Sequence, residues 1–233
     1  MKLKFDDLEL RELRNVVRKN THVVTMNEAY VVQSPKNRIE TEALSEKSKK
    51  ILQSKLDLYA SELNFVSAKL DSTARDVAMP DASAYNSLKA QEGRLLQLSF
   101  FLGLHSTNIG DPQSSLAMDT LTYMRLERDW GTFDSWQKDF IACAMTAGNF
   151  AVTAYSYDLR RYMNLVVDSM HALPPNVTPV ISLAVMPDLY VRDYLDDRKS
   201  YVFSMIKELN WDKIDARFKR AERAAAAYEG RER

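Results

Sequence analysis

Cysteine is nearly absent from this chain of 233 residues: Cys143 stands alone, so no internal disulfide can form and the fold must rest on its packed core. Its apolar neighbours Ile141, Ala142, Ala144 and Met145 predict a buried thiol and a reducing compartment. Glycine is scarce at six, and no Gly-rich phosphate loop, GxSxG or HExxH motif is present. Of the three histidines, His105 and His171 read as loop residues without a clear partner, and Cys143 has no activating base in view. Net charge is missing too, because 32 basic and 32 acidic residues cancel, which leaves only local patches for nucleic acid or a membrane surface. No run approaches the roughly 18 consecutive apolar residues of a membrane-spanning helix. The first twenty residues set Asp6, Asp7, Glu9 and Glu12 among their basic residues, whereas a mitochondrial presequence is poor in acids, so no cleavable address is expected there.

What is present is a run of helices followed by short strands. Between Leu44 and Leu70 the residues Leu52, Leu56, Tyr59, Leu63, Val66 and Leu70 step by four and three, the mark of one buried helix face. Met79–Ala82 breaks the pattern, and a second apolar run from Leu88 to Leu104 reads as a more buried helix, so the two form an antiparallel hairpin. The turn formers from His105 to Ser115 suggest a connection, and they place a border between a helical hairpin domain, 1–108, and an α/β domain with a basic helical tail, 109–233. A helix near Phe133–Met145 precedes three segments rich in Val, Tyr and Phe, at Asn149–Tyr157, Tyr162–Val167 and Val177–Val185, which read as a small three-stranded antiparallel sheet. Helix returns from Asp188 to Leu209, where Asp196 and Asp197 fall on a solvated face. The tail from Lys213 to Arg233 holds seven basic and four acidic residues. The fold class is therefore α+β.

From Pro179 to Phe218 the sequence resembles, without a gap, the C-terminal signature of the iron/manganese superoxide dismutases. In that family a strand ending in Asp-x-Trp-Glu-His-Ala-Tyr leads into a helix with Tyr and Arg, then an Asn-Trp pair; here Tyr190, Tyr194, Arg198, Tyr201, Asn210 and Trp211 fall at the matching spacings. WGTFDSWQKDF, from Trp130 to Phe140, is similar to the family's Gly-Ser-Phe-Asp segment, and NEAYVV, from Asn27 to Val32, to its His-His-x-x-Tyr-Val. The resemblance implies a long helical hairpin and then a three-stranded α/β domain, in agreement with the periodicity.

It also implies a redox metal held by three His and one Asp, because superoxide is oxidised and reduced in turn by a metal that cycles between two valences. Here the ligand Asp is Ala184, one ligand His is Asp188 and another is Leu98, while the intervening Trp and Glu become Met186 and Pro187. His22, eight residues before Tyr30, keeps the spacing of the first ligand. The family's supporting Gln would fall near Gly148. With three of four donors replaced, no metal or other cofactor and no enzymatic activity are expected, and Leu98, Ala184 and Met186 are expected to fill the vacated space with apolar volume.

Inactive relatives of this family are known as paired subunits of the mitochondrial ribosome, so the resemblance implies a structural protein of its small subunit in the mitochondrial matrix. It would sit among other ribosomal proteins, with a paralogous superoxide dismutase-like chain as heterodimer partner, and touch neither membrane nor small-molecule substrate. Tyr190, Arg192 and Tyr194 are the expected interface, because Pro187 and Asp188 replace the Glu-His pair that bridges family dimers. Arg11, Arg14, Arg18, Lys19, Lys219, Arg220 and Arg223 are the candidate RNA contacts, each also readable as a solvated helix face. The alternatives are a divergent metal-binding dismutase that uses His22 and Asp188, and a free-standing dimeric scaffold.

Overall fold

In the computed structural model, which describes residues 31–76, 78–80, 83–109 and 114–229, the four-and-three spacing closes a buried helix face. Helix α1 (Glu46–Ser72) buries Leu52, Leu56, Leu63, Val66 and Leu70, and starts where the Ser45 hydroxyl accepts the Ser48 N–H. Helix α2 (Ala84–Asn108), capped in the same way by Ser83, folds back against it and buries Leu95, Leu98, Phe101 and Leu102. Arg11, Arg14, Arg18, Lys19, His22 and Tyr30 lie outside the described residues.

The connection expected from His105 begins four residues later, because His105–Asn108 complete α2. Turn-forming side chains continue a helix here because they find partners within the fold: Ser106 donates to the Gly103 carbonyl at 2.8 Å and Asn108 to the Ser182 carbonyl at 2.9 Å. Helix α3 (Leu121–Trp130) has no counterpart among the sequence expectations. It ends at Gly131, whose φ of 83° suits a residue without Cβ, and Thr132 then caps α4 (Phe133–Thr146).

Strands β1 (Phe150–Ser156), β2 (Arg161–Val167) and β3 (Val177–Ala184) form an antiparallel sheet in the order β2-β1-β3. Val152 stands opposite Leu165 on one side and Ser182 on the other. The central strand is buried along its length, as a continuous apolar run requires. On the edge strand β3, Pro179 is tolerated beside an irregularity in the register at Thr153/Ala154.

The single helix expected from Asp188 to Leu209 is two, α5 (Pro187–Tyr194) and α6 (Arg198–Lys207), parted at Leu195, whose φ of 53° no continuing right-handed helix allows. Asp197 is the cap of α6, accepting the Ser200 N–H at 3.0 Å, and so has a structural role beyond solvation. Helix α7 (Trp211–Glu229) absorbs the alanine-rich stretch.

Helices α2 and α7 pack on β3, and α4 packs on β1 and β2. Between α4, α7 and the sheet, Trp136 stacks on Phe140 and meets Phe133 and Trp211 within 5.8 Å. Its indole N–H donates to the buried Thr153 hydroxyl at 3.1 Å. From Ser34 onward the chain is one compact unit. At residue 108, where the border was expected, Ile109 bridges to Leu209 and the Asn210 N–H donates to the Asn108 carbonyl at 2.7 Å.

Candidate functional site

The hairpin and the β3–α5 junction bring two of the matched ligand positions, Leu98 and Ala184, into the same apolar core. Leu98, on the buried face of α2, is 7% exposed, Ala184 at the end of β3 is 0% and Met186 is 6%. Three positions along α2 from Leu98, the Phe101 ring lies 5.5 Å from that of Phe150, the residue opposite Ala184. Neither a leucine nor an alanine offers a lone pair.

Asp188 turns the other way. Its carboxylate is 55% exposed and forms an ion pair with Lys55 of α1, so the charge has both a cation and water. One turn along α1, Tyr59 donates to the Met186 sulfur at 3.9 Å, and the Lys55 ammonium lies 5.7 Å from the Tyr59 ring centroid. Burial pushes the Tyr59 hydroxyl above its ordinary range, against the pull of Lys55. The pair is half in solvent, so Lys55→Met is expected to lower stability by less than about 1 kcal/mol in urea titration.

Gly148 is exposed and carries no group into the core; its N–H donates to Asp168 at 3.0 Å. Asp168 also accepts the N–H groups of Met170 and His171 and faces the His171 ring nitrogen at 2.9 Å, an arrangement that knits the β2–β3 loop. Burial raises this carboxyl, but the donors win and hold it well below the usual carboxylate range. Cys143 is only partly buried, short of the buried thiol expected; burial, with Asp139 nearby, pushes it up to about 11, which keeps it protonated.

The residues matched to the family's scaffold around these positions are all engaged. The Tyr201 hydroxyl donates to the Ala184 carbonyl at 2.7 Å, and its ring stacks on Tyr190 at 4.8 Å. Arg198 donates to the carbonyls of Ala144 and Ala147, which closes the C-terminus of α4 with a cation. Asn210 caps α7 through the Lys213 N–H at 3.0 Å, and Trp211 joins the aromatic layer.

Of the expected interface residues, Tyr190 is buried within the chain, Tyr194 is half-buried and donates to the Ala43 carbonyl at 2.7 Å, and Arg192 is exposed. Of the expected RNA contacts, Arg220 and Arg223 are exposed on α7, while Lys219 pairs with Asp215 at 2.7 Å. His105, expected in a loop, is wholly buried on α2.

A redox metal with three nitrogen ligands and one carboxylate does not fit these residues. Leu98 and Ala184 have nothing to give, Asp188 is committed to Lys55, and among the described residues no group of three or more His, Cys, Asp or Glu side chains is placed to hold a metal ion. Sequence reasoning missed Lys55, whose partner lies 133 positions away, and no local pattern announces such a pair.

With the helical hairpin, the three-stranded sheet and the Tyr-Arg-Asn-Trp set in place, the fold is like that of the iron/manganese superoxide dismutases. Residues 119–217 match the family of iron/manganese superoxide dismutases, C-terminal domain. The manganese superoxide dismutase 1 of Halobacterium salinarum is 26% identical over 130 residues, 55% of this chain and 62% of that protein. The chain thus matches somewhat less than two thirds of such manganese relatives. The iron superoxide dismutase of Aquifex pyrophilus is 28% identical over 183 residues, 73% of this chain and 80% of that protein.

Proposed function

We propose that this chain is a non-catalytic, superoxide dismutase-like structural protein of the mitochondrial ribosomal small subunit, acting in the matrix through protein–protein contacts. The observation that carries the reading is the burial of Leu98 and Ala184 in a continuous apolar core at two matched ligand positions. A fold that keeps its scaffold and drops its donors has its surface left for function. Pro187 and Asp188 stand where the family's dimer bridge would be, and Asp188 is drawn to Lys55 of its own chain, which favours a different partner, a paralogous superoxide dismutase-like subunit, over a symmetric homodimer. The balanced charge suits a peripheral position with RNA touched only through patches such as Arg220 and Arg223.

The chain is expected to co-sediment with mitochondrial small subunits in sucrose gradients at salt concentrations that strip loosely bound proteins. Recovery only in the free fractions would remove this reading. The names of the relatives favour a second one, a divergent metal-binding dismutase. It would need His22 and Asp188 to be joined by donors that the described residues do not assemble.

A further inference from the structure

His105 is the least expected group in the core. It is 0% exposed, lies on the face of α2 that packs against β3, and neither Nδ1 nor Nε2 has a hydrogen-bond partner. The Ser182 carbonyl, which accepts the Asn108 amide at 2.9 Å, lies beside the ring outside hydrogen-bond geometry; it favours the protonated ring, but less than burial disfavours it.

Among the described residues no acid is placed to receive an imidazolium. Strand β3 has no titratable side chain, and the residues that α1 buries are Ser48 and apolar groups. From α7 the charge directed into this layer is a cation, Arg217, which donates to Thr107, Asn108 and the Val180 carbonyl. Glu208, next to the Ile109–Leu209 bridge, is held by Thr41 and the Glu42 N–H. On α2 itself the buried residues other than His105 are uncharged. Protonation would therefore place a second cation in a buried layer beside a partly buried one, Arg217.

We propose that His105 is an acid-sensitive latch between the helical hairpin and the sheet: the neutral ring lets α2 lie on β3, and its protonation releases them. Burial holds the folded ring down at about 4 against an ordinary 6.5. The unfolded chain thus binds more protons between those values, so the latch is fully stabilising above 6.5 and weakens as pH falls toward 4. The shifted aspartates act lower: burial pushes Asp168, Asp193 and Asp215 up, yet hydrogen bonds hold them, like Asp197, below the ordinary 3.8, so their contribution is lost only as pH falls below that value.

The test is urea unfolding of the full chain from pH 7.5 to 4.5, with His105→Leu and His105→Gln beside the parent. The parent's folding constant is expected to drop on the order of 100-fold across this window, and either variant to remove most of that drop. Hydrogen exchange on the parent alone supplies a second reading. At pH 5, α2 and β3 are expected to lose protection together while α4 keeps its own. A folded variant that retains the parent's pH slope, or α2 and β3 still fully protected at pH 5, would overturn the latch.

Discussion

Purified from cells supplied with manganese or iron, the chain is expected to carry far less than one equivalent of either metal and to dismutate superoxide no faster than a protein-free control. The reason is the donor set. A redox ion needs lone pairs on several sides of a preformed cage, and two of the matched positions are a leucine and an alanine sealed in hydrocarbon at 7% and 0% exposure. Asp188 adds one oxygen but faces solvent and Lys55, away from that core. His22 can supply at most one nitrogen, and a site of two ligands binds such ions weakly and without control of their potential. Metal analysis by mass spectrometry with a cytochrome reduction assay checks this. Stoichiometric metal together with dismutase activity would overturn the non-catalytic reading and favour the divergent dismutase.

Trp136→Ala is expected to cost about 3–5 kcal/mol, a large share of the roughly 5–15 kcal/mol that holds a domain together. The side chain is fully buried, and its removal opens a cavity between Phe133, Phe140 and Trp211 while leaving the Thr153 hydroxyl without its indole donor. Thr153 still donates to Asn164 at 2.7 Å, so its loss is partial. Trp136→Phe, which keeps a ring and drops the N–H, is expected to lose appreciably less. Guanidinium denaturation followed by near-ultraviolet circular dichroism separates the two variants. An alanine variant within 1 kcal/mol of the parent would mean that this layer is not packed around Trp136.

The hairpin and the strands were legible because their residues face one layer each, so burial writes a period of 3.6 or a short apolar run into the sequence. Helix α3 was not, because its fully buried residues are only Thr122 and Leu126, too few to mark a face. The break at Leu195 carries neither Gly nor Pro; the positive φ there is imposed by the packing of α5 and α6, not by a residue that prefers it. His105 looked like a turn residue because polar side chains usually follow solvent, and its burial depends on β3, more than seventy positions later. At the matched site, residue identity alone says that Leu98 and Ala184 offer no side-chain donor atom. The outward turn of Asp188 could not, because Lys55 is brought to it only by the tertiary fold.

Asn108, at the end of the hairpin, is anchored by Ser182 and Arg217, 74 and 109 positions downstream. Thr41 and Ser45, at its start, are anchored by Glu208 and Asp193. On a chain made from its N-terminus, α1 and α2 can pair with each other early, yet every one of these locks is synthesised late. Phe101 therefore waits uncovered until Phe150 and Ser182 have emerged on β1 and β3, and closure over such separations is slow. Premature termination before β3 would leave a formed but undocked hairpin with its apolar face exposed, a species that chaperones and proteases recognise.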